Sequence, residues 1–372
     1  MINLKTLSWY LFRSYCGYFL TILFLLTGIL VIANIFDLLQ KFKNIYIPFH
    51  FFWRFTLYKI PYLLSQVASL ISFIAMLFFL KNLTKNNELI TILSSGVHIW
   101  RILVIPVFTV LILGIGFTAI LDPIGALGLQ KYEVLETKLL KKRVNEVTVS
   151  KSGLLVFESY QGNNHQKNNY QRNNQIIQTQ SINLAARRLN NVTILLIGSD
   201  NSFLKRIDAK YAIAKEGSLD LNQVKVFTGT EHKNYDSLTI PTNLSIDHLA
   251  ENFPAPEMVS IWKLPELIKQ LLKSGVPVIN YQIYYYKQLF KPIMMIATVI
   301  LASCFISLRQ RDNSQEKILI IGLFVGFIVY SLSEILLKIL AYNSLSLITA
   351  ILLPSMLIFF ISNFIILHYK EI

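Results

Sequence analysis

A chain of 372 residues with 53% hydrophobic and 15% charged side chains, and a mean hydropathy of +0.49, is too apolar to be a monomer dissolved in water. The formal net charge of +14 does not single out nucleic acid, because the basic residues are spread over loops without a nucleic-acid-binding motif; anionic lipid is the better matched partner class. Cys16 and Cys304 both fall within or beside apolar stretches, so they cannot staple a polar domain and they form no metal-ligand spacing.

Six apolar stretches follow one another at residues 15–35, 61–80, 102–121, 288–308, 318–337 and 345–367. Each is about 20 residues long, which at helical rise crosses a hydrocarbon layer of ~30 Å. The first resembles a signal peptide in following Lys5 and Arg13, but it is too long and lacks a small-residue cleavage site, so it reads as a retained span. An even number of spans puts both termini on one side. With the termini in the cytoplasm, that side gains Lys5, Arg13, Lys81, Lys85, Arg101, Arg309, Arg311, Lys317 and Lys370, against Lys41, Lys43, Arg54, Lys59 and Lys338 in the opposite short loops. The bias favours cytoplasmic termini and an external insertion. The loop after span one is unusually basic for an outer loop.

Residues 81–100, between spans two and three, read as a short amphipathic helix. Thr84, Glu88, Thr91 and Ser95 recur at i, i+4, i+7 and i+11, Leu83, Ile90, Leu93 and Val97 form another face, and Gly96 suits a left-handed cap. Two readings compete: an interfacial connector, or a coupling helix that offers Glu88 to an arginine of a cytoplasmic ATPase.

The polar insertion spans residues 122–287. Its middle alternates with period two at residues 146–150, 154–157, 191–197 and 204–213, broken at Gly153, residues 198–201, Gly217 and Gly229, which predicts an antiparallel sandwich or jelly-roll. In one segment Ile207, Ala209, Tyr211 and Ile213 are expected on one face, with Asp208 and Lys210 on the other. Residues 162–175 are low-complexity and read as a mobile loop. Helical connectors are expected at 127–143 and 260–273, the latter stopped by Gly275 and Pro277. The chain thus divides at 1–121, 122–287 and 288–372.

No GxxxxGK[ST], HExxH or GxSxG motif occurs, and His50, His98, His165, His232, His248 and His368 are scattered. The reading is a non-enzyme with no catalytic residue, no metal and no cofactor, driven by a motor on another chain. Asp37 and Glu334 are acidic groups at or within membrane depth, costly unless paired; Lys41 and Lys338, each four residues on, are the expected partners.

Residues 87–96, NELITILSSG, resemble the SELxxxxxSG coupling helix of the LptF/LptG (YjgP/YjgQ) permeases, and the likeness extends to Leu289-Phe-Lys-Pro292, Gly326-Phe327 and Leu352-Leu-Pro-Ser355. Ile35-Phe-Asp-Leu-Leu39 looks more like the LptG type. The resemblance implies six transmembrane helices with a periplasmic all-β jelly-roll between the third and fourth, in the inner membrane of a Gram-negative bacterium. It also implies lipopolysaccharide as cargo, an LptF-like six-span partner, an LptB-like ATPase dimer and LptC/LptA-like jelly-roll bridge proteins. Lys41, Lys43, Arg54, Lys59 and Lys131 then become a candidate rim for lipid phosphates. The chain departs from the LptG pattern at Asn34, Gln130 and Glu133, where some members carry basic residues. The competing reading is a non-catalytic subunit of a lipoprotein-sorting or mechanotransmitting ABC system.

Overall fold

The computed structural model describes residues 4–43, 48–140, 146–150, 153–161, 172–183, 186–198, 202–215, 217–229, 231–242, 253–307, 315–342 and 346–368. They fall into two compact units, residues 1–133 with 283–372, and residues 134–282.

The first unit is helical. Helix α1 (Leu4–Lys41) is followed by α2 (Phe49–Gln66), α3 (Ala68–Lys85) and the seven-residue α4 (Glu88–Ser94). Helix α5 (Ile99–Gly116) runs through a π turn (Phe117–Leu121) into α6 (Asp122–Leu140). Among the described residues five helical stretches are long and apolar enough to cross a membrane, and α8 (Ile279–Leu289) with α9 (Lys291–Ser307), bent by 53°, make a sixth if the bent pair is one span. Helices α10 (Gln315–Tyr342) and α11 (Leu347–His368) complete the set. The second span differs from its expected form. The apolar run at 61–80 is not one helix, because Val67 at φ −94°, ψ 10° interrupts it and joins α2 to α3. Helices α3 and α9 are the most enclosed, packing Ile71, Met76, Phe79, Met295, Val299 and Ala302 into one core.

The second unit is the all-β, jelly-roll-like domain, whose seven strands pair in chain order, each antiparallel to the next. They are β1 (Glu146–Ser150), β2 (Gly153–Gln161), β3 (Arg172–Asn183), β4 (Arg188–Ile197), β5 (Phe203–Lys215), β6 (Ser218–Thr228) and β7 (Glu231–Pro241). Residues 172–175, expected in a loop, open β3; residues 162–171 lie outside the described residues, as do Arg309, Arg311, Lys370, His165, His248 and residues 141–143 of the first connector.

The alternation in β5 also departs from expectation. Ile207 and Ala209 are buried, but Ala212 and Ala214 follow them inward while Ile213 is exposed. The cause is a line of extra residues crossing four strands. Thr179 pairs with Val192 and Ser181 with Asn190, skipping Gln180 and Asn191; Ala209 pairs with Val224 and Tyr211 with Asn222, skipping Lys210 and Gln223. Asn191 and Gln223 hold positive φ there. One extra residue per strand inverts the sequence phase of the pleat and adds local bend and twist, while the buried face stays continuous.

A short helix, α7 (Leu264–Lys273), covers this unit with Leu264, Ile268 and Leu271. It ends where the sequence signals. Gly275, at φ +73°, donates to Leu272 O while Val276 donates to Leu271 O, and a side chain at Gly275 would run into Ile182 O. On the sheet surface Lys215 lies 2.6 Å from Asp220, which also accepts from Thr239; the ammonium and the hydroxyl hold the Asp220 carboxyl below its usual range.

Candidate functional site

The surface helix α4 comes from a sharp chain reversal. Asn87 takes a left-handed conformation (φ 57°) and ends the path of α3, so Thr84 and Glu88 do not share one continuous helix. The expected four-residue polar stripe is therefore broken after Thr84. The buried face differs too: Leu89 and Ile92 enter the helical core, while Ile90, expected on the apolar side, is 45% exposed. The hydroxyls are spent locally. Thr84 donates to Leu80 O, Thr91 to Asn87 O and Ser95 to Ile92 O, which leaves the Glu88 carboxylate as the charged group of the helix. It accepts from the Tyr10 hydroxyl at 2.8 Å and from Asn86. Gly96, at φ +84°, donates to Leu93 O and closes α4. Tyr10 lies 78 positions away, and no local pattern could have linked it to Glu88.

Three of the five expected rim cations converge. Lys41 and Lys59 each place Nζ 5.8 Å from the centre of the Tyr132 ring, and Lys131 sits 5.8 Å from that of Tyr58. Helix α6 reaches α2 closely enough for this because Gly125 and Gly128 face it. An added Cβ at Gly125 would lie 3.0 Å from Tyr62 N, and one at Gly128 would collide with Tyr58 O. Small residues are what allow helix backbones to approach inside a membrane. Tyr132 stacks edge-on against Phe55 at 5.1 Å, which fixes the ring that both lysines share. Lys43 and Arg54 are exposed and are not drawn to either tyrosine. Asn34, the position where a cation was missed against the family pattern, is buried and donates to Thr56 Oγ1 at 3.0 Å, tying α1 to α2.

The acidic groups part company. Asp37 is exposed on α1, and among the described residues it makes no ion pair with Lys41. Glu334 is paired, though not with Lys338: its carboxylate meets Lys287 Nζ at 2.8 Å. The bend between α8 and α9 brings Lys287 across to α10, a tertiary partner that i+4 spacing cannot reveal. Around it lie Lys291, which donates to Ser65, and Tyr284, whose hydroxyl donates to Asp122 at 2.7 Å. The pair of lysines four apart at the mouth of an apolar span was the available signal. Among the described residues no cluster of three metal-ligating side chains occurs.

Apolar spans, an inserted β domain and a short helix packed on the helical core define a multi-pass membrane protein with one large extramembrane domain. The chain belongs to the LptF/LptG family: the model for "Lipopolysaccharide export system permease LptF/LptG" matches residues 9–368. It is 23% identical over 362 residues, 96% of each chain, to the Lipopolysaccharide export system permease protein LptG of Haemophilus influenzae. It is 28% identical over 149 residues to the protein of the same name in Escherichia coli K12, covering 40% of this chain and 41% of that one.

Proposed function

We propose that this chain is the LptG-type membrane subunit of an ABC exporter that lifts lipopolysaccharide out of the inner membrane and passes it to periplasmic jelly-roll bridge proteins. An LptF-like subunit completes the cavity, and an LptB-like ATPase dimer on the cytoplasmic side does the hydrolysis; this chain contributes no catalytic residue. In this reading residues 1–121 and 288–372 carry the membrane half and residues 122–287 the periplasmic β domain with its connectors. The observation that carries it is the form of α4. Leu89 and Ile92 anchor the helix in the membrane unit, while Ile90, Thr91, Ser94 and Ser95 face outward beside the Glu88 carboxylate. A rigidly anchored helix with an acidic, partly apolar outer face suits a groove on a motor subunit, because a push on it reaches the spans without being absorbed by a loop. The Lys41, Lys59 and Lys131 cluster serves as the phosphate rim, with Lys43 and Arg54 beyond it, since clustered ammonium groups favour anionic headgroups.

Affinity purification from membranes tests the reading: an ATPase and a second six-span chain are expected to accompany the tagged protein. Glu88→Ala is expected to weaken ATPase binding by about 10- to 100-fold, the worth of one charge-assisted hydrogen bond of about 1.5–3 kcal/mol. A Glu88→Ala complex that keeps its ATPase bound and fully active rejects the coupling role.

A further inference from the structure

Spans two, three and four each depart from regular α-helix, and side-chain hydrogen bonds bring the three irregular points together. Span two is interrupted at Val67, span three carries the π turn at Phe117–Leu121, and span four bends by 53° between Leu289 and Lys291. The Thr118 hydroxyl donates to Gln288 O at 3.1 Å, joining the π turn to the bend. The Tyr330 hydroxyl donates to Gln66 O at 2.9 Å, joining α10 to the interruption, and Lys291 donates to Ser65. Irregular backbone at membrane depth needs such partners from neighbouring helices. Bonds of this kind part singly, without unwinding a helix.

The two arms of the bend are held differently. Beyond it, α9 is packed tightly through Met295, Ala297, Val299 and Ala302, and Pro292 lies so close to Gly114 that an added Cβ there would sit 2.9 Å from it. Before it, residues 282–287 of α8 are only half-buried, and their polar link to span five is the Lys287–Glu334 pair. That pair borders a recess of about 550 Å³, counting its open mouth, and its side chains are 28% and 30% exposed. This ion pair is a single polar contact, and parting it leaves the packing of both helices intact provided each charge is hydrated or paired again. Separating the packed face of α9 would instead forfeit many dispersion contacts at once.

We propose that the bend at Phe290 is a hinge, with α9 as its fixed arm and α8 as its moving arm, and that Lys287–Glu334 is the latch holding α8 to span five between transport strokes. Helix α8 is continuous across residue 282, the last residue of the second unit. The timing of the latch rests on the transport reading; the pair itself does not.

The test uses the full chain with Cys16→Ala and Cys304→Ala, carrying Lys287→Cys and Glu334→Cys, in membranes containing its co-purifying partners. A short bis-maleimide is expected to join the two positions, and the locked protein to transport at least about tenfold more slowly than the same variant left unlocked. Equal transport by locked and unlocked protein overturns the latch, and so does failure of the cross-link to form. A second measurement needs neither cargo nor ATPase: Glu334→Lys lowers the melting temperature in detergent by a few degrees, and adding Lys287→Glu restores most of it. No restoration overturns the pair. Lipopolysaccharide release by the wild-type chain tests the transport reading by itself; should it fail, the charge exchange still decides whether the pair binds the two spans together.

Discussion

Tyr132 organises the basic cluster more than any lysine does. Its ring takes Lys41 from one helix and Lys59 from another at the same 5.8 Å, and a ring face attracts a cation by about 0.5–1 kcal/mol when exposed. That attraction helps to hold the two ammonium groups beside one ring, yet is weak enough for phosphate oxygens to compete for their protons. Lys41→Glu is therefore expected to weaken lipopolysaccharide cross-linking by about tenfold or more, losing one charge-assisted contact and adding a repulsive carboxylate. Cross-linking at the wild-type level removes Lys41 from the rim. The lysines were legible in the sequence because the charge bias assigned basic loop residues to the side where few are expected. Tyr58 and Tyr132 were not, since nothing in their local spacing distinguishes an aromatic ring that collects cations from one that fills a core.

At the level of elements, what the hydrocarbon layer dictates was readable and what neighbouring helices decide was not. The six apolar runs and the period-two insertion follow from transfer energies and pleat geometry, which each segment must satisfy by itself. The interruption at Val67 lies inside an apolar run, and Lys287, Gln288, Lys291 and Pro292 mark where span four opens without revealing that the helix bends at Phe290. Glu334 illustrates the consequence: a local i+4 partner was the sound expectation, and the bend supplied Lys287 instead. The crease through Gln180, Asn191, Lys210 and Gln223 was equally hidden, because alternation read along one strand cannot reveal an extra residue shared by four. The crossing of α2 and α6 provides a test at this scale. Gly128→Ala drives a methyl group into Tyr58 O, pushes α6 off α2, and is expected to cost about 1–3 kcal/mol, as overpacking usually does. The change is read as a lowered melting temperature in detergent. Gly116→Ala, with open space around it, serves as the control and is expected to leave melting unchanged.

For the whole molecule the fourth span decides the arrangement. Helix α9 has 17 residues, about 26 Å of rise, short of a ~30 Å hydrocarbon core, so crossing requires part of α8 despite Lys287. With α8 and α9 acting as one bent span, position 85 after span two and position 237 on β7 lie on opposite sides of the membrane, and position 368 at the end of α11 returns to the side of position 85. Were the bent pair a re-entrant loop instead, position 368 would share the side of position 237. Single cysteines at Lys85→Cys, Ser237→Cys and His368→Cys, all at exposed positions, separate the cases once Cys16 and Cys304 are replaced by alanine. A membrane-impermeant maleimide applied to spheroplasts is expected to label only the Ser237→Cys protein, the other two reacting after permeabilisation. Labelling of both Ser237→Cys and His368→Cys makes the fourth element re-entrant and removes the hinge from the path of a crossing span. Labelling of Lys85→Cys and His368→Cys but not Ser237→Cys inverts the molecule and leaves Glu88 on a face without ATP. The charge bias of nine basic residues to five, Lys5 through Lys370 against Lys41 through Lys338, favours the first outcome, because lysines and arginines in short loops resist translocation.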